Sequence, residues 1–284
     1  MKDYPFRRLL AALLLLFLVW APAAPASVMV LVHGYLGDGQ SFHTAGVVDA
    51  LTTAGWHYGG DWRYARDGQV RLTDAGEDAE RTLYTVTLPA SAPLALQADW
   101  LSAMIRSAAN RHPGQPLILV GHSAGGVVSR LSLVRGGVGP VEHLITIASP
   151  HLGTARALQA LEATNGGGMF GPFRRILTRQ AVGGSTYDAI RHSRAVLVDL
   201  TPPSQGNLLG WLNVQEHPDI TYDAIVRNTA FRMGGDVLVP AYSQDLNQVP
   251  ALHGRATVIA SPLEHGLAAD DARLILQRIA ARAG

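Results

Sequence analysis

Short, continuous apolar runs recur along the chain and alternate with helix-length stretches. Val28-Met29-Val30-Leu31-Val32 is β-branched, apolar throughout and ends at His33-Gly34, as expected of a strand covered on both faces in a parallel sheet. A helical segment is expected from Ala45 to Ala54. Residues 56–82 then turn polar and rich in Gly, Asp and Arg, and read as a long surface excursion. Leu83 to Leu88 is a second strand, stopped by Pro89. From Leu94 to Asn110 apolar residues fall at helical spacing (Leu94, Leu101, Ile105), and His112-Pro113-Gly114 ends the helix. Leu117-Ile118-Leu119-Val120 is the next buried strand, and it runs through Gly121-His122-Ser123 into a helix of small residues from Gly125. Further strands are expected at His143 to Ala148, Ile220 to Val226 and Ala256 to Ala260, and a helix from about Ala268 to Arg282.

Strands alternating with helices imply βαβ crossovers and a mostly parallel sheet flanked by helices, an α/β fold. The rhythm breaks at about 152–218, where Gly166-Gly167-Gly168, Pro202-Pro203 and the aromatics Phe170, Phe173 and Trp211 mark an insertion. Helices are expected within it near Ala155 to Glu162 and Tyr187 to Leu200. The insertion is read as a cap or lid belonging to one domain, residues 27–284.

Residues 1–26 are set apart from that domain. Lys2, Arg7 and Arg8 precede an apolar run from Leu9 to Trp20, and small residues at Ala24 and Ala26 suit cleavage before Ser27. This is the pattern of a secretory signal peptide, so export to a periplasm or medium is expected; an uncleaved anchor that keeps the protein at a membrane surface is the alternative. Residues 1–26 hold three of the 23 basic and one of the 22 acidic residues, which leaves 20 against 21. A near-neutral remainder gives no electrostatic case for nucleic acid.

Composition narrows the chemistry further. At 284 residues and 48% hydrophobic content the chain can bury one large core. It has no cysteine, and its only lysine is Lys2. A cysteine nucleophile, a disulfide, a thiolate metal site, a P-loop lysine and a lysine Schiff base are therefore all excluded from residues 27–284. The eleven histidines show no metal-ligand spacing, and no metal or other cofactor is expected.

These exclusions leave hydroxyl chemistry open. A serine hydroxyl is a weak nucleophile, so it needs a base to take its proton and donors for the oxyanion that develops. Gly121-His122-Ser123-Ala124-Gly125 sits between a buried strand and a helix, a turn that projects Ser123 from the carboxyl end of a sheet. The Ala124 N–H faces the same oxyanion. A second donor is expected from the loop His33-Gly34-Tyr35, with the Tyr35 N–H first and Leu36 as its neighbour, while His33 braces the loop. For the base, His265 follows the strand Ala256 to Ser261 and precedes the last helix; His253 lies before that strand, at the wrong edge. For the acid, Asp236 lies in the tight loop Gly234-Gly235-Asp236-Val237-Leu238-Val239-Pro240, after one strand and before His265. Asp223 lies within a strand, Asp245 beyond the loop, and Glu264 is too near His265 in sequence to hold its ring.

Taken together, Val32-His33-Gly34, Gly121-His122-Ser123-Ala124-Gly125-Gly126, Ala148-Ser149-Pro150-His151-Leu152-Gly153-Thr154 and Gly235-Asp236-Val237-Leu238-Val239-Pro240 resemble the lipase and esterase branch of the α/β-hydrolase superfamily. The chain is similar to bacterial triacylglycerol lipases and to the lipase-like domain of GPI inositol-deacylases. The resemblance implies hydrolysis of a small-molecule or lipid ester through an acyl-enzyme on Ser123, with His265 as base then acid and Asp236 orienting it. Many secreted bacterial lipases also carry a disulfide and a calcium-binding aspartate just past the histidine. Here cysteine is absent, Leu267 stands two residues past His265, and Asp270 and Asp271 are read as opening the last helix. Two other functions fit the same residues less well: acyl transfer to an alcohol by the same acyl-enzyme, and a non-catalytic binding protein on a hydrolase fold.

Overall fold

The computed structural model describes residues 27–65, 67–136, 139–164, 188, 191–228 and 234–283. The strands are β1 (Ser27–Val32), β2 (His57–Tyr64), β3 (Val70–Thr73), β4 (Arg81–Thr87), β5 (Leu117–His122), β6 (Val141–Ile147), β7 (Thr221–Arg227) and β8 (Ala256–Ser261). They form one sheet in the order β3-β2-β4-β1-β5-β6-β7-β8. Every neighbouring pair is parallel except β2 and β3. The described helices are α1 (Gln40–Thr44), α2 (Val47–Thr53), α3 (Leu94–Arg111), α4 (Ala124–Gly136), α5 (Ala155–Thr164), α6 (Arg194–Asp199), α7 (Leu208–Leu212), α8 (Ala241–Gln244) and α9 (Asp270–Ala283).

Period-2 alternation sorts the strands' side chains into two layers. Val28, Val30, Val32, Leu117 and Leu119 face α3 and α4, in a core that also takes Leu101, Ile105, Val127 and Leu131. Met29, Leu31, Ile118 and Val120 face the other side, where Val48 and Leu51 of α2 and Ala272 and Ile275 of α9 cover them. All six residues of β1 are buried, as its unbroken apolar run predicts. Among the described residues, no helix is long and apolar enough to cross a membrane; the apolar run 9–20 lies outside them.

Residues 56–82 depart from the expected surface excursion, because β2 and β3 extend the sheet beyond β4. Their polar composition hides the strand. Asp61, fully buried in β2, accepts hydrogen bonds from Thr85 Oγ1 (3.0 Å), Thr87 Oγ1 (2.8 Å) and Arg63 Nε (2.5 Å), so its charge is satisfied inside the sheet rather than by water. Gly59 is needed because a Cβ there would come within 2.5 Å of the Tyr84 ring.

Between β6 and β7, α5 and α6 fall where helices are expected, near 155–162 and within 187–200, and α7 is a further short helix beyond them. Residues 165–187, with Phe170 and Phe173, lie outside the described residues. The described part of this insertion shares the main core: Val196, Leu197, Leu200, Leu209 and Leu212 are buried with the α3 and α4 residues. Asp199 accepts a 2.8 Å bond from the Leu94 N–H that opens α3.

Candidate active site

Register brings the important loops to one edge. Val32 at the end of β1 lies opposite Gly121 of β5, and His122 lies opposite Ile147 of β6, so the loops after these strands leave side by side. Arg227 of β7 pairs with Ser261 of β8, and the segments bearing Asp236 and His265 follow them at the same edge.

The turn at Ser123 is tight. Ser123 has φ +51°, a left-handed conformation that costs an L-residue about 1 kcal/mol and is held here by its surroundings. Its N–H donates to Ile147 O at 2.8 Å. A Cβ on Gly121 would come within 2.5 Å of Gly126 Cα, one on Gly125 would strike the carbonyls of Val32 and His33, and one on Gly126 would strike Ser149 Oγ. Glycine at all three positions lets α4 press against the strands so closely that only the serine side chain projects.

Three side chains distant in sequence meet at this turn. Ser123 Oγ and His265 Nε2 are 3.0 Å apart. His265 Nδ1 lies 2.8 Å from Asp236 Oδ2. An ionised carboxylate only accepts, so Nδ1 carries the proton and Nε2 is left to accept from the serine hydroxyl. Asp236 is held in place by the N–H groups of Leu238 and Val239 on Oδ1 (both 2.7 Å) and by Gln244 Nε2 on Oδ2 (3.1 Å). Burial alone would raise its pKa; the His265 bond and charge and these backbone donors outweigh it, and the carboxyl lies below its ordinary value. Asp236 thus stays ionised at neutral pH.

The loop after β1 packs on the serine. A Cβ on Gly34 would lie 2.9 Å from Ser123 Cβ, and Leu36 has φ +57°. Tyr35 lies in this loop and its hydroxyl is hydrogen-bonded to Ser193 Oγ. Ala124 opens α4, so its N–H belongs to the first helical turn, where no intrahelical carbonyl is available. His33 braces the loop: it is buried, its Nε2 accepts from the Leu88 N–H (2.9 Å), and its Nδ1–H therefore donates to Gly34 O (2.8 Å). Burial lowers its pKa and keeps it neutral. His253 sits in the turn before β8, bonded to Asn247 O, away from the serine.

Ser123 and His265 open onto a cleft of about 710 Å³ whose walls include Tyr35, Asp38, Gln40, Ser41, Thr44, Leu238 and Leu267, with Asp236 buried behind the imidazole. Leu36, Val237 and Leu238, all exposed, lie in the two loops that carry the lining residues Tyr35 and Leu238. Among the described residues, no three His, Asp or Glu side chains converge as a metal site requires.

Several supporting residues carry no clear signal in the sequence. Gln244 bridges Asp236 Oδ2, Val239 O (2.8 Å) and the Arg227 N–H (2.7 Å), tying the Asp236 loop to β7. Asp271 does more than open α9: fully buried, it accepts two 2.8 Å bonds from Arg227. The sequence shows only its position near a helix start. Asp270 is exposed in the first turn, as expected.

Residues 87–164 match the family model described as the PGAP1-like alpha/beta domain. No curated protein matches the chain. Among solved structures, the mature lipase BlEst2 of Bacillus licheniformis is 16% identical with a TM-score of 0.60, over 92% of this chain and 94% of that one. MenH from S. aureus is 14% identical with a TM-score of 0.51, over 93% and 97%. A lipase-esterase related protein from Clostridium acetobutylicum is also 14% identical, with a TM-score of 0.50 over 90% and 94%. The chain has the α/β-hydrolase fold, and its segment 87–164, which carries the Ser123 turn, is similar to the PGAP1-like alpha/beta domain.

Proposed function

We propose that the protein is a serine hydrolase that cleaves carboxylic esters through an acyl-enzyme. The observation that carries this reading is the continuous chain Ser123 Oγ, His265, Asp236, with contacts of 3.0 and 2.8 Å at the mouth of a cleft. In this mechanism His265 Nε2 takes the Ser123 proton as Oγ attacks the ester carbonyl, and the resulting imidazolium is stabilised by Asp236. The oxyanion is met by the N–H groups of Ala124 and Tyr35. His265 then returns the proton to the leaving alcohol, and water attacks the acyl-enzyme with His265 again as base.

Apolar acyl esters, lipids among them, are the preferred class. The exposed apolar residues on the flanking loops favour it, as does the insertion 152–218, read as a cap over the acyl chain. The polar lining residues Gln40, Ser41 and Thr44 suit the alcohol portion. We further propose export directed by residues 1–26, which the mass of the N-terminus after expression in a secreting host would settle.

The test is hydrolysis of p-nitrophenyl esters of graded chain length by the purified protein and by Ser123→Ala, with fluorophosphonate labelling of Ser123. Hydrolysis and labelling that both vanish in the variant support the reading. Wild-type protein that neither labels nor exceeds the variant would return the fold to a binding role; product trapped on an added alcohol rather than water would indicate acyl transfer.

A further inference from the structure

The residue between Gly121 and Ser123 is formally a spacer in the turn, yet its side chain reaches the element that bears the base. His122 Nε2 lies 2.9 Å from the carbonyl oxygen of His265. A carbonyl only accepts, so Nε2 carries the proton. The two imidazole rings are 5.4 Å apart at their centroids and tilted by 50°. The next carbonyl along, that of Gly266, accepts from Arg227 Nη2 at 3.2 Å, and Arg227 is fixed by its bidentate pair with Asp271. Two successive peptide carbonyls of the turn that carries the base are thus gripped by side chains from the ends of β5 and β7. That turn, residues 262–269, belongs to no helix or strand.

We propose that His122 is a positioning residue: its Nε2–H holds the peptide of His265 so that the imidazole stays between Asp236 and Ser123. The proposal rests on the serine-hydrolase reading above and deepens it. An apolar side chain would fill the same space but leave the His265 carbonyl free to turn. An arginine or lysine would donate but would set a permanent charge beside the imidazolium that forms on the base. A neutral imidazole donates without that charge. The groups facing His122 are consistent with this: burial first, then the nearby His265 and Arg227, push its pKa down, opposed by the bond to the His265 carbonyl and by Asp271, to about 4. The ring is uncharged when His265 works.

The experiment compares the full chain with His122→Leu and His122→Gln, since glutamine keeps an uncharged N–H donor. Each is measured for thermal unfolding, for kcat and KM on a p-nitrophenyl ester, and for the far-downfield proton resonance of the His265 Nδ1–H bound to Asp236, identified by its loss in His265→Ala. A displacement of about 1 Å at a catalytic group costs on the order of 100-fold, so His122→Leu is expected to lose about 30- to 100-fold in kcat. KM should shift by less than about threefold, because substrate contacts are unchanged. The downfield line should broaden or vanish in His122→Leu and return in His122→Gln, which should regain about tenfold or more of the lost kcat. A folded His122→Leu with a wild-type line, or with kcat within about threefold of wild type, overturns the proposal. If His122→Leu does not fold, His122→Gln decides: an intact line with most of kcat supports positioning, and a lost line overturns it. The resonance needs no substrate, so failure of the ester reading, seen as unlabelled Ser123 in wild type, is distinguishable from failure of this one.

Discussion

Two histidine–aspartate pairs lie at opposite edges of the same sheet, and only one of them meets a serine. His265 and Asp236 are 2.8 Å apart; His143 and Asp223 are 2.7 Å apart. As isolated pairs they are nearly interchangeable. His143 and Asp223 stand near the starts of β6 and β7, both fully buried, with Arg278 adding an ion pair to Asp223 at 3.1 Å. No hydrogen-bond partner for His143 Nδ1 is present among the described residues. His265 is partly exposed, and its second nitrogen faces a hydroxyl in a cleft. An imidazole held by a carboxylate is therefore not in itself a catalytic device. The difference lies in what the other ring nitrogen can reach and whether substrate can approach it.

Breaking the two pairs should give opposite signatures. The largest effect is expected from Ser123→Ala, which leaves both pairs intact and should reduce kcat by about 10⁶-fold; active-site titration and ester hydrolysis measure it, and substantial residual turnover would move the nucleophile elsewhere. Asp236→Asn should cost about 10⁴-fold in kcat with a far smaller change in stability, because it leaves His265 in the wrong tautomer. Asp223→Ala should do the reverse, destabilising the fold by about 3 kcal/mol or more through the uncompensated buried partners while the folded fraction still labels at Ser123. Denaturant unfolding alongside fluorophosphonate labelling separates the two, and equal losses of activity per folded molecule would erase the contrast.

The smallest effect is a pH slope. His217 accepts from Arg130 (3.1 Å), which is itself fully buried, and burial followed by the Arg130 charge pushes the His217 pKa from 6.5 down to about 4. The unfolded chain binds this proton before the folded one does. Stability should therefore fall as pH drops from about 6.5 toward about 4 and be insensitive to this group above that range. Melting temperature against pH should show the slope in wild type and a shallower one in His217→Gln.

Local patterning made much of this fold legible. The apolar runs at Val28, Leu117 and His143 announce central strands because both faces of a parallel sheet are covered. The sequence also points to Ser123, Asp236 and His265, since each follows a strand and their order is the one the resembled architecture implies, and these side chains do come within hydrogen-bonding distance. β2 was missed because Gly59, Gly60 and Asp61 look like loop residues until Tyr84, Thr85 and Thr87 of β4 are placed beside them. Gln244 and the Arg227–Asp271 pair were missed for the same reason. Their partners lie 8 and 44 positions away, and composition carries no record of such pairings.

The three glycines around Ser123 divide the molecule for anyone who wishes to redirect its chemistry. With the carbonyls of Val32 and His33, the hydroxyl of Ser149 and the first-turn backbone of α4 occupying the space where side chains would begin, positions 121, 125 and 126 offer no route to variation, and libraries that include them would be spent on misfolded chains. Diversity has to be introduced on the cleft's other walls, at Gln40, Ser41, Thr44, Leu238 and Leu267, where new side chains meet solvent or substrate before they meet the backbone that holds the serine.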